Sequence, residues 1–83
     1  NQGQTSEAIE LTRAALELEG RYASEDDTGL ARTRAKLGFY LSRDGRYDEA
    51  LAQDDAAIVA LERGSPQDRL EATEVMRSRA RIH

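Results

Sequence analysis

The sequence predicts an all-α fold, and three observations carry this. Strong helix formers (Ala, Leu, Glu and Arg) run through the whole chain, with few β-branched residues among them. Breakers and capping residues cut it into four segments, roughly residues 5–23, 28–43, 47–63 and 66–82. No segment alternates apolar and polar residues with the period of two that a half-buried strand needs. The joining turns are short, so consecutive helices are predicted to pack as antiparallel neighbours.

Each element has its own local signals. Thr5 or Ser6 is the expected cap of the first helix, with Glu7 and Glu10 near the positive end of its dipole. Its apolar stripe reads Ala8, Leu11, Ala15, Leu18, Tyr22, a 3-4-3-4 spacing that predicts the core face. Ser24-Glu25-Asp26-Asp27-Thr28 is a polar break offering caps for the second helix, which carries Leu30, Leu37 and Leu41. Asp44-Gly45 ends that helix, with Gly45 as a left-handed cap. Tyr47 or Asp48 opens the third, with Ala50, Leu51, Ala57, Ile58 and Leu61 on one side, and Gly64 is expected to stop it as a second left-handed cap. In Ser65-Pro66-Gln67-Asp68, Ser caps, Pro takes the first helical position and Asp68 can accept from the Ser65 amide.

Composition removes several function classes. The chain has 83 residues, enough for one small domain. With 39% hydrophobic and 34% charged residues it is too apolar for a disordered tail and too polar for a membrane span. There is no Cys, and the single His is the terminal His83, so thiol chemistry, cysteine metal sites and histidine acid–base catalysis lack their residues. Asp54 and Asp55 are adjacent and point to different sides of a helix, so they cannot share a catalytic or metal site. No Gly-rich phosphate loop is present, and Asp44-Gly45-Arg46-Tyr47-Asp48-Glu49 lacks the ligand order of a calcium loop. These absences predict a protein without catalysis, cofactor or metal. The net charge of −4 argues against nucleic acid as partner. No signal peptide, lipidation motif or polybasic anchor is visible, which predicts no membrane association and a cytoplasmic location. The missing initiator Met predicts a mature fragment or an excised piece of something longer.

An internal repeat organises the chain. A shift of 42 residues places Gly3 on Gly45, Glu7 on Glu49, Ala8 on Ala50, Ile9 on Leu51, Ala15 on Ala57 and Leu16 on Ile58. The first helix is thus a weak copy of the third, and the two are expected side by side. The second maps less well onto the fourth, with Arg34 on Met76 and Gly38 on Ala80. Residues 31–64, reading Leu37-Gly38, Leu41, Gly45, Tyr47, Ala50, Leu51 and Ala57, resemble a tetratricopeptide repeat. The 42-residue spacing looks like the longer-period variety found in kinesin light chains and many bacterial scaffold and regulatory proteins. The resemblance implies stacked antiparallel hairpins in a right-handed superhelical solenoid, with a partial repeat at 1–23, a full one at 31–64 and a partial one at 66–83.

Gly38 in mid-helix costs about 1 kcal/mol against Ala, and close approach of the partner helix at Ala50 and Ala57 would offset that cost. Asp54 stands where the family pattern has a large apolar residue, and Arg34 where it often has an aromatic; the two are expected to pair across the hairpin. The resemblance further implies a concave groove for a protein or peptide, lined here by Arg32, Lys36, Phe39 and Arg43 and by Arg77 and Arg81, whose charge suits an acidic segment. Phe39 and Tyr40, about 100° apart, cannot both enter one core stripe. The expected function is therefore a binding module of a larger scaffold or regulatory protein. The alternative is a structural four-helix domain through which a regulator self-associates as a homodimer, using Ile9, Leu16, Met76 or Ile82 at open repeat ends.

Overall fold

Four α-helices follow one another in the computed structural model, which describes residues 2–24 and 27–81: α1 (Gln2–Gly20), α2 (Thr28–Arg43), α3 (Tyr47–Glu62) and α4 (Pro66–Ala80). The fold is all-α, with no strand among the described residues, and none of the described helices is long and apolar enough to cross a membrane. Glu25, Asp26, Ile82 and His83, which entered the sequence expectations, lie outside the described residues.

The turns are where local chemistry is clearest. The Asp27 carboxylate accepts from the Leu30 amide at 3.1 Å and caps α2. At the other end Gly45 takes φ +81°. The Arg46 amide donates to the Leu41 carbonyl at 2.9 Å and the Gly45 amide to that of Ser42 at 3.1 Å, the paired bonds of a Schellman turn. At the start of α4 the Ser65 hydroxyl accepts from the Asp68 amide at 3.2 Å, while the Ser65 amide donates to the Asp68 carboxylate at 2.9 Å. With Pro66 at the first turn this is the expected capping box.

Two expected caps are corrected. α1 begins at Gln2, so Thr5 and Ser6 lie inside the helix rather than at its cap. Gly64 is not left-handed, since Gly45 alone among the described glycines has positive φ. α3 instead ends through right-handed Arg63, and Gly64 lies against the Asp68 side chain, which leaves no space for a Cβ.

Packing centres on α2 and α3, an antiparallel pair joined by the tight turn at Gly45. α4 packs on α3 and touches α2, and α1 packs on the other flank of α2. One core cluster contains Ala31, Ala57, Ala60, Leu61 and Ala72; the other contains Ile9, Leu37, Leu41 and Ala50. No described Cα of α1 lies within 8 Å of one in α3. The first and third helices therefore meet only through side chains, as in the Arg13–Glu49 ion pair at 2.9 Å, and the close backbone approach belongs to α2 and α3.

The core face of α1 differs from the expectation. Ile9 and Thr12 are buried and Leu16 packs against the core, whereas Leu11, Leu18 and Tyr22 are exposed. The stripe expected inside faces outward, turned from Ile9-Thr12-Leu16 by about one residue, or 100°. Ile9, 2% exposed, is thereby withdrawn from any role in self-association.

Gly38 is the tightest point of the α2–α3 contact. A Cβ there would stand 3.3 Å from the Ala50 carbonyl oxygen and would overlap the Asp54 carboxylate. Gly38→Ala should therefore destabilise by about 1–3 kcal/mol in urea melts despite its better helix propensity. Gly20→Ala, with nothing within 4 Å of its Cβ position, should be neutral or stabilising by up to about 1 kcal/mol. Equal effects at the two sites would show that no steric limit operates at Gly38.

Candidate functional site

The inward set of α2 is Leu30, Ala31, Leu37, Gly38 and Leu41, all buried. At about 100° per residue, this directs Arg32, Lys36, Phe39 and Arg43 to the opposite side, and all four are exposed. They form one continuous stripe along the helix, as the sequence spacing predicts. Tyr40, one step round from Phe39, packs against the core, and its ring meets Phe39 edge-on with centroids 5.7 Å apart. The expected division between these two aromatics is observed.

The four residues of the stripe differ in what occupies them. The Arg32 guanidinium donates to Asp68 at 2.7 Å and to Glu71 at 2.6 Å, both on α4. The hydrogen bond and charge of Glu71 hold it above its ordinary pKa. The Asp68 carboxyl is held below its ordinary value, first by the Ser65 backbone N–H and further by the Ser65 hydroxyl and Arg32. Arg32 is thus a strut between α2 and α4 with its charge already matched. Arg43 is different: its guanidinium lies 5.6 Å from the centroid of the Phe39 ring, a cation–π contact. Phe39 itself is 48% exposed, and the Lys36 ammonium has no hydrogen-bond or ion-pair partner among the described residues. The accessible chemistry is an aromatic surface with two cations beside it.

Arg77 and Arg81 are not brought to this stripe. Arg77 pairs with Glu74 of its own helix at 3.1 Å and lies about 180° round α4 from Asp68, which marks the side turned to α2. Arg81 is exposed at the C-terminal cap of α4. Among the repeat-signature residues, Leu37, Gly38, Leu41, Ala50 and Ala57 are buried, Leu51 is half-buried and Tyr47 is exposed.

Two features depart from or add to what the sequence predicts. Asp54, 3% exposed, presses its carboxylate against Gly38, and no hydrogen bond or ion pair reaches it among the described residues. The expected Arg34 partner turns instead to Gln53, donating to its side-chain oxygen at 3.4 Å. Burial pushes the Asp54 carboxyl up to about 6; the Asp55 charge adds to this and Arg79, paired with Asp55 at 2.6 Å, opposes it. The second feature is a recess of about 430 Å³ where α1 gives way to α2, lined by Leu18, Glu19, Tyr22, Ala23, Asp27 and Leu30. One Glu19 carboxylate oxygen is buried there without a hydrogen-bond partner among the described residues. No three acidic or histidine side chains among the described residues cluster as metal ligands.

No family model matches the chain, and no curated protein or solved structure matches it significantly.

The Asp54 carboxyl ordinarily titrates at 3.8 and in the fold at about 6. Between those values the folded state holds a proton that the unfolded chain has released, so stability falls as pH rises through this window and stays lower above it. Asp54→Asn removes the buried charge and should raise stability by about 1–3 kcal/mol above pH 7. The difference from the parent protein should close below about pH 4. Paired urea melts across this range check it; a constant difference at every pH would mean that the carboxyl does not titrate on folding.

Proposed function

We propose that this chain is a helical-repeat binding module that recognises an acidic segment of a partner protein through the exposed stripe of α2, acting by binding alone. The observation that carries this reading is the Phe39–Arg43 pair beside Lys36. A half-exposed aromatic ring capped by a guanidinium, next to an ammonium that no described residue engages, contributes little to the core. The arrangement suits a carboxylate-bearing peptide with apolar side chains: the ring offers desolvated area, and the cations offer charge-assisted hydrogen bonds. The strut from Arg32 to Asp68 and Glu71 limits motion of this face against α4, which lowers the ordering cost of binding. The 42-residue internal repeat and the small-residue hairpin at Gly38 support a tetratricopeptide-like solenoid as the scaffold, of the kind used in scaffold and regulatory proteins. Within this proposal the location is cytoplasmic, and the partner is neither nucleic acid nor membrane.

A glutamate-rich peptide containing one or two leucines is the probe. Titrated into the isotopically labelled protein, it should shift the amides around Lys36, Phe39 and Arg43. Lys36→Glu combined with Arg43→Glu should reduce affinity at least tenfold, whereas Arg77→Glu should leave it within about twofold. Raising salt should weaken the interaction, chiefly through the association rate. Shifts scattered over all four helices, or an Arg77→Glu effect as large as that of the α2 variants, would remove α2 as the binding face.

A further inference from the structure

We infer that the Asp54 carboxyl is a proton-controlled latch on the middle of α2: protonated, it closes over Gly38, and ionised, it opens the α2–α3 contact to water. The effect is a local opening, distinct from a change in overall stability, and it originates in how the core is divided. One cluster joins Ala31 to Ala57, Ala60, Leu61 and Ala72, and the other joins Leu37 and Leu41 to Ala50 and Ile9. Between the two, the seam of α2 with α3 carries polar side chains, Arg34, Gln53 and Asp54. Asp54 is buried, and a Cβ at Gly38 would overlap its carboxylate. Glycine has no side chain that could close the seam in its place, so the carboxyl itself is the seal.

Both ends of the pair are held by other means. At one end stands the Gly45 turn, with the Arg46 amide bonded to the Leu41 carbonyl at 2.9 Å. At the other, Ala31 enters its cluster and Arg32 binds Asp68 and Glu71. Ionising Asp54 leaves these anchors intact and weakens only the stretch between them, which is how sub-global opening arises. No surrounding charge relieves the ion directly. Asp55 is its neighbour on α3, and Arg79 of α4 is paired with Asp55 at 2.6 Å. Arg34 of α2 donates to Gln53 at 3.4 Å, and Arg13, the cation that α1 sends to α3, is paired with Glu49. Water is therefore what an ionised Asp54 draws in. Burial first, and the Asp55 charge second, push the carboxyl from 3.8 up to about 6. The closed contact is thus favoured in mild acid and is lost as pH rises through that value. Lys36 and Phe39 lie within two residues of Gly38 on the outward side of α2, so opening disturbs the binding stripe. This last link rests on the binding function proposed for that stripe.

Hydrogen exchange of the full chain, followed by NMR and corrected for the intrinsic rate, tests the latch. Between about pH 5.5 and about pH 8, amides of α2 and α3 around Gly38 and Asp54 should open about fourfold more readily. The slow amides of α4 should change little, and Asp54→Asn should abolish the dependence. The Asp54 carboxyl carbon of the parent protein should titrate at about 6, a readout that remains if the variant fails to fold. Exchange that rises equally in all helices, a carboxyl titrating at its ordinary value, or a pH effect retained by Asp54→Asn would each overturn the latch. Over the same range the glutamate-rich peptide should lose about twofold to fourfold in affinity for the parent protein and none for Asp54→Asn. Equal affinity at both pH values would overturn the link to the stripe. A peptide that binds at neither pH would overturn the binding function alone, since exchange is measured without it.

Discussion

The approach of α2 to α3 at Gly38 governs the rest of the architecture. Interaxial distance between packed helices depends on the side chains at the crossing, and here these are a glycine and Ala50. With backbone set against the Asp54 side chain and the Ala50 carbonyl, the rotation of α2 about its own axis has little freedom. Leu37 and Leu41 then point inward, and Arg32, Lys36, Phe39 and Arg43 must point outward. The same rotation places Arg32 within reach of Asp68 and Glu71, so the position of α4 relative to α2 is tied to the small-residue contact elsewhere on the helix.

Asp54 shows what the close contact demands. A long apolar side chain at this position would push into the space over Gly38 and part the helices. A short side chain fits, and the carboxylate that comes with it is buried without a donor among the described residues. The cost is electrostatic rather than steric: burial disfavours the charged form, and the neighbouring Asp55 charge adds to the penalty. Close packing and a poorly solvated charge thus arise from one residue.

Where the chain states its structure locally, the sequence is legible. The Ser65–Asp68 box and the Gly45 turn are complete within a few residues, and both form as their residue types require. Gly38 is legible for a different reason, because a mid-helix glycine needs a compensating contact and α3 provides one. The face of α1 was not legible. Ala8-Leu11-Ala15-Leu18 is the more apolar of two adjacent stripes, yet the one that packs carries Ile9, Thr12 and Leu16. Helical periodicity establishes that a stripe exists, and only the neighbouring helix decides which of two is covered. Arg34 is a similar case. Opposite charges in one repeat suggested a pair with Asp54, but residues 53 and 54 of a helix face about 100° apart, and Arg34 meets the one that points its way. Of the expected groove residues, the four on α2 follow from a single helical spacing. Arg77 and Arg81 required the relative rotation of two helices, which no local signal encodes.

The distribution of exposed apolar side chains follows from the same geometry. Leu11 and Leu18 lie on α1, Tyr47 and Val59 on α3, and Leu70 and Met76 on α4. Each of these helices keeps a side that no described helix covers. α2, flanked by α1, α3 and α4, shows solvent one apolar group, Phe39, and shows it under a guanidinium. A helix packed on one or two sides leaves broad surface to solvent, whereas a helix enclosed on three sides has only one face left on which to place anything. Residues on that face have fixed spacing because their backbone is held by packing on every other side. That rigidity is what recognition of a short segment requires, since little further ordering is needed when it binds.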